Sequence, residues 1–313
     1  MKRLAILALL FFAIPALALT FGSGGACAST FASDGCSGTP APTFFAKFGS
    51  GGAGNGQFAG VTRISHDASF LYVGDTSNSR VELFNISGYA YVDQFNSGFS
   101  GFNNSYGVAV DSTQIYVTNK FTTNQALSKT SPYTPVNVFG SSGTDSAVDS
   151  VFIYWVDINN NQIAVYDKAT FTAGSPIGST GSGNGQFQFN ALTGGVTIDT
   201  SYIYVADSGN NRVQVFDAIT RGYLHQFGTF GTGDGQFNNP VGIAVDATRI
   251  YVTDNSNSRV QVFDRTYPYA FITKFGSVGT GNGQFTAPYG IDVDSTYVYV
   301  TDNGNNNVQV FLK

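Results

Sequence analysis

Residues 203–217 read IYVADSGNNRVQVFD, and the phrase returns as IYVTDNSNSRVQVFD at 250–264 and as VYVTDNGNNNVQVF at 298–311. Looser copies run LYVGDTSNSRVELF from Leu71 and IYWVDINNNQIAVYD from Ile153. Each copy is two short strands around a polar turn. In Val213-Gln214-Val215-Phe216 apolar and polar residues alternate among β-branched and aromatic types, the period of a strand. Asp-Ser-Gly-Asn-Asn between the strands supplies Asx turns and residues that tolerate positive φ. One hairpin cannot bury its own faces, so the copies must pack on one another.

A second phrase punctuates the first. GNGQF stands at 54–58, 183–187 and 281–285, and GDGQF at 233–237. After it comes a strand such as GIAVD (242–246), then the hairpin phrase, then a closing strand such as FITKFG (271–276). Four strands in a unit of forty to fifty residues describe a propeller blade and not a solenoid coil. The second strand ends at Asp75, Asn119, Asp157, Asp207, Asp254 and Asp302, which gives six blades. The last unit stops at Lys313 without a fourth strand, while FFAKFG at 44–49 is a fourth strand with no unit before it. The expected fold is all-β: a six-bladed β-propeller of four-stranded antiparallel blades over 44–313, its ring closed by that N-terminal strand. Closure matters because an open array leaves uncovered apolar faces and free strand edges.

These residues resemble the NHL repeat family of six-bladed propellers. The Gly-rich turn with Phe, the GxAVD strand, the YVAD-like strand and NxRVQVF stand almost intact over 231–264. The resemblance runs from about residue 44 to the C-terminus. It implies the fold and leaves the activity open, since such propellers host unrelated functions. Blade two departs from the pattern: 119–135 reads NKFTTNQALSKTSPYTP, without the Asp and without the RVQVF strand. Blade three replaces its Gly-rich phrase with GSSGT (140–144) and carries a longer segment, 170–183, afterwards.

Residues 1–18 have the parts of a secretory signal peptide: Lys2 and Arg3, an apolar core, and Ala16-Leu17-Ala18 as a small-x-small cleavage site. The apolar run is short for a membrane span, so no transmembrane segment is expected after cleavage. Removing Lys2 and Arg3 takes the net charge from −5 to −7. An acidic surface argues against a nucleic-acid partner. Residues 19–43 form a Gly/Ser/Ala-rich leader holding both cysteines. Cys27 and Cys36 are disulfide candidates in an oxidising compartment, with lipidation at Cys27 and a metal pair as alternatives. The expected location is secreted, periplasmic or cell-surface.

The polar turns look like sites at first sight. Asp75, Arg80, Asp157, Asp207, Arg212, Asp254, Arg259 and Asp302 recur from blade to blade, however, as turn-capping carboxylates and planar donors would. They read as structural. A lyase or lactonase of this architecture would need histidines or a glutamate converging on a metal. Here His66 aligns with Val245 on an innermost strand, His225 with Thr273 on an outermost one, and Glu82, the only glutamate, with Gln261 on a third strand. No cofactor is therefore expected. The irregular content of the first strands remains: Arg63 and Asp145 stand where other blades have Gly, and Asp292 where others have Ala or Thr. These three are the candidate ligand-binding residues at the channel mouth. The reading is a non-catalytic binding or scaffold module for a protein or glycan. A metal-dependent lyase or lactonase is the alternative.

Overall fold

The innermost strands of the six blades surround a channel, and each carries its hairpins outward from that axis. The computed structural model describes residues 40–96, 105–190 and 193–313. The signal-peptide segment and the two cysteines lie outside the described residues. Blade one consists of Val61–His66, Phe70–Asp75, Arg80–Asn85 and Tyr91–Asn96, paired antiparallel in that order. Blade four (Gly195–Ile198, Tyr202–Asp207, Arg212–Asp217, Tyr223–Phe227) and blade five (Pro240–Val245, Arg249–Asp254, Arg259–Asp264, Phe271–Phe275) repeat it. In blade six, Pro288–Val293, Tyr297–Asp302 and Asn307–Leu312 are followed spatially by Thr43–Phe48. That strand runs antiparallel to Asn307–Leu312, with Phe44 opposite Phe311 and Phe48 opposite Val308. No helix among the described residues is long and apolar enough to cross a membrane.

Two blades depart from what their sequence suggests. Blade two keeps a third strand, Asn124–Ser128, between Gln114–Asn119 and Pro135–Phe139, although RVQVF is gone. Ala126 and Leu127 still fall on buried positions, and burial, not the motif, decides the pairing. Blade three has three regular strands: Ser146–Val148, Phe152–Asp157 and Gln162–Asp167. Its fourth position is held only by isolated bridges, Ile163 with Ile177 and Tyr166 with Ala173. The intervening Gly174-Ser175-Pro176 explains the break, because Pro donates no ladder hydrogen bond.

Apolar side chains gather between blades. Phe187, Tyr154, Ile203 and Phe216 form the core of the three–four junction; Phe237, Tyr204, Val252 and Phe263 form that of four–five. The phenylalanines of the Gly-rich phrase, Phe58, Phe187, Phe237 and Phe285, are all completely buried there. Glycine is required nearby: at Gly276, with φ of +93°, an added Cβ would lie 2.5 Å from the Phe285 ring.

Candidate functional site: the central channel

Most first strands carry Gly at mid-channel because the neighbouring strand comes close. A Cβ on Gly242 would lie 2.4 Å from the Tyr289 carbonyl oxygen. Arg63 and Asp145 break this rule and meet each other inside. Arg63 is 3 % exposed, and its Nε lies 3.5 Å from Asp145 Oδ1. The guanidinium extends across the axis: Nε donates to the Thr144 carbonyl of blade three, Nη2 to Gly194 at the entry to blade four, and Nη1 to Val241 of blade five. It also lies 4.9 Å from the ring centre of Tyr289 in blade six. Asp145 accepts from the Ser146 and Val196 amides. Burial pushes the Asp145 carboxyl up, while the Arg63 charge and those amides pull it down. Beside the pair, Tyr106, Val241 and Tyr289 pack together in the channel.

The sequence therefore picked residues that share one cavity but placed two of them at the wrong depth. Arg63 and Asp145 are a floor, not a mouth. A cavity of about 160 Å³ adjoins this floor, walled by Ser65, Thr197 and Asp292 among others. Exposure rises outward: the Asp292 side chain is 21 % exposed and His66, its partner, 26 %. His66 Nδ1 lies 2.6 Å from Asp292 Oδ2. Burial alone would lower the His66 pKa, but the Asp292 hydrogen bond and charge, helped by Asp294 and Asp67, raise it overall. The cavity opens toward the turns that join first and second strands, the face opposite the DxxNxR turns.

Those DxxNxR turns are internally bonded. Asp75 accepts from the Ala59 amide, from Asn78 Nδ2 and from Arg80 Nε at 2.7 Å. Arg80 also donates to the carbonyls of Gly54 and Gln57, tying hairpin to Gly-rich phrase. Asp207 with Arg212, and Asp254 with Arg259, repeat the arrangement. Asp302 accepts from Ala287 and Asn305, and Asp157 from Asn160 and Gln162. His225 lies on Tyr223–Phe227, against Tyr267 and far from the channel strands. Among the described residues, no three His, Cys, Asp or Glu side chains converge as metal ligands.

Glu82 is an anomaly in this network. Its relatives Gln214 and Gln261 accept from a glycine amide through Oε1 and donate through Nε2 to the Gln186 or Gln236 carbonyl and to Asp207 or Asp254. Glu82 Oε1 accepts from Gly56, but Oε2 has no hydrogen-bond partner among the described residues. Burial pushes its carboxyl up to about 7, against the pull of Arg80, whose Nη2 is 3.2 Å away. The folded protein thus holds this proton more tightly than the unfolded chain, so the Glu82 contribution to stability falls as pH rises from about 4.5 to about 7 and changes no further above. Glu82→Gln should remove that fall and leave the variant more stable than the parent at pH 8. Thermal melts of both proteins from pH 5 to 8 check this; parallel profiles would refute it.

The NHL repeat pattern matches residues 237–263, which span the innermost three strands of blade five. No curated protein matches the chain. Among solved structures, an auxiliary nutrient binding protein from Bacteroides thetaiotaomicron VPI-5482 superposes with a TM-score of 0.62 at 16% identity, over 81% of this chain and 69% of that one. Its counterpart from Bacteroides ovatus ATCC 8483 gives 0.61 at 14%, with the same coverage. Kuenenia stuttgartiensis hydrazine synthase gives 0.57 at 12%, over 84% of this chain and 98% of that one. At such identities the likeness concerns the fold alone. The chain is a six-bladed β-propeller that carries an NHL repeat.

Proposed function

We propose that this propeller is a non-catalytic binding module, working in a secreted, periplasmic or cell-surface location, that holds a group of a protein or glycan partner in the channel cavity. The observation that carries the reading is the cavity itself: a polar cup floored by the Arg63–Asp145 pair and flanked by His66–Asp292, in a channel whose other first strands carry mainly Gly, Ala and Thr. Its size suits one sugar ring or one polar side chain. Arg63 has most of its donors committed to carbonyls, so the accessible recognition groups are Ser65, Thr197 and Asp292, the last held by His66. The signal-peptide pattern supports the location. The Bacteroides neighbours, named as nutrient-binding, fit a binding role.

Glycan and peptide arrays probed with the full chain test it. We expect ligand retention that falls at least tenfold in Asp292→Ala and is unchanged in Asp234→Ala, which alters an exposed ion pair with Lys274 far from the cup. Undiminished retention by Asp292→Ala would remove the cup from recognition. Stoichiometric zinc or calcium in protein purified without chelator would instead favour the metal-dependent lyase or lactonase.

A further inference from the structure

Every first strand is followed directly by an aspartate: Asp67, Asp111, Asp149, Asp199, Asp246 and Asp294. At four blade junctions a cation from the following blade reaches back to it. Lys129 Nζ lies 2.6 Å from Asp67 Oδ2, Lys168 Nζ 2.5 Å from Asp111 Oδ2, Arg265 Nη2 2.7 Å from Asp199 Oδ2, and Lys313 Nζ 2.9 Å from Asp246 Oδ2. Each cation follows directly on the third strand of its blade. The lysines share a further contact: Nζ donates to the backbone carbonyl of the next aspartate, Asp111, Asp149 or Asp294. Lys129 and Lys168 also lie 5.9 Å from the ring centres of Tyr72 and Tyr116, whose hydroxyls donate to the same carboxylates. The protein thus builds one ammonium receptor repeatedly: carboxylate, tyrosine face and turn carbonyl.

Two junctions lack the basic residue. Ala218 takes its place between blades three and four. There Arg221, from the outer turn of blade four, lies 4.2 Å over the Phe152 ring and 5.9 Å from that of Tyr154, so a guanidinium is already present. Between blades six and one, Ile86 takes the place, and the position matching Arg221 is Tyr89, which packs on Tyr299. Here Asp294 keeps the receptor geometry: Tyr299 Oη donates to Oδ2 at 2.7 Å, and the Thr296 and Tyr297 amides donate to Oδ1. A cavity of about 540 Å³ opens at this junction, lined by Asp67, Ile86, Asp294, Tyr297 and Tyr299 among others. Around it Asp292 is paired with His66 and Asp67 with Lys129, while Asp294 has no cation within ion-pair distance among the described residues. Of these three carboxylates, Asp294 alone is left without an ion-pair partner among the described residues, open to an incoming cationic group.

We propose that the cleft between blades six and one binds a primary alkylammonium group from outside the chain, seated on the Asp294 carboxylate and the Tyr299 ring as Lys129 is on Asp67 and Tyr72. The site adjoins the channel cup, with the His66–Asp292 pair between them, but its seat on Asp294 and Tyr299 is distinct from the cup and stands whether or not the cup binds a partner. Its ligand is a lysine side chain of another protein or a free aliphatic amine. The alkyl stem would run along Ile86 and Tyr297, as amphipathic stems do on apolar surface.

The probes are n-butylammonium and a blocked lysine-containing tripeptide, titrated at constant ionic strength into the full chain and followed by NMR, with n-butanol as the uncharged control. We expect saturable shifts with butylammonium and none with butanol. Saturation by the tripeptide as well assigns the site to protein lysines; saturation by butylammonium alone assigns it to free amines. Ile86→Lys supplies the missing ammonium from within and should abolish binding while raising the melting temperature. Asp294→Asn should weaken binding at least tenfold, and Ile86→Met should retain it. Absence of saturable binding by either amine, or binding undiminished in folded Ile86→Lys, would overturn the proposal.

Discussion

A chain trimmed to begin at Ser50 should melt far below one trimmed to begin at Thr39, and much of it should be aggregated at room temperature. The shorter chain lacks Thr43–Phe48, the strand beside Asn307–Leu312. Phe44 packs edge-on against Phe311 at 6.0 Å between ring centres, in the junction of blades five and six. Phe48 lies on the other side, 4.7 Å from Phe84 and stacked at 5.3 Å on Tyr89 of blade one. One strand therefore serves two interblade cores. Each large side chain contributes on the order of 1.5–3 kcal/mol when fully buried, and whole domains are stable by only about 5–15 kcal/mol. Removal also bares the edge of Asn307–Leu312, a template for pairing with other chains. Circular dichroism melts of the two truncations decide the matter. Coincident melting temperatures would show that blade six holds without its outer strand, and that the proposed closure contributes nothing.

Replacement of Arg63 by Met should cost about 3–5 kcal/mol, the range for breaking a buried ion pair from one side. Asp145 would keep its two amide donors but lose its counter-charge, and the carbonyls of Thr144, Gly194 and Val241 would each lose a donor. The penalty should be partly relieved in the Arg63→Met, Asp145→Asn double variant, because the uncompensated charge is then gone. Urea denaturation of the single and double variants measures both effects. A single variant as stable as the parent would mean that the cross-channel bonds do not hold the blades.

The propeller was legible because its elements are local and repeated. A hairpin with an Asx turn announces itself within about fifteen residues, and five such announcements, the last four at nearly equal spacing, imply the rest. Blade two shows the limit of motif reading: Asn124–Ser128 is a strand because Ala126 and Leu127 meet buried positions, not because it spells the phrase. In blade three the longer segment after the third strand was visible, but its two-bridge attachment depends on how Ile177 meets Ile163. The channel residues were found by substitution at Gly and Ala positions, which locates a residue along the axis. Side-chain reach is another matter. Nothing in the spacing of Arg63 says that its guanidinium crosses to blades three, four and five. The junction cations escaped notice for a different reason. Lys129, Lys168, Arg265 and Lys313 differ in their neighbours, and only the fold reveals that each follows a third strand and meets the aspartate of the blade before it.

The pairing of Thr43–Phe48 with Asn307–Leu312 has a mechanical consequence. Thr43 is opposite Leu312, so the two ends of the strand pair that lead out of the body are side by side. Tension applied between them would open the register like a zip, first at Thr43 and Leu312, then at Phe44 and Phe311, then onward to Phe48 and Val308. Only one rung carries the load at a time. A ring that resists heat through all its junctions together would therefore yield to a modest pull at this one seam, and once the outer strand had peeled away it would be left in the weakened state of the chain trimmed to Ser50.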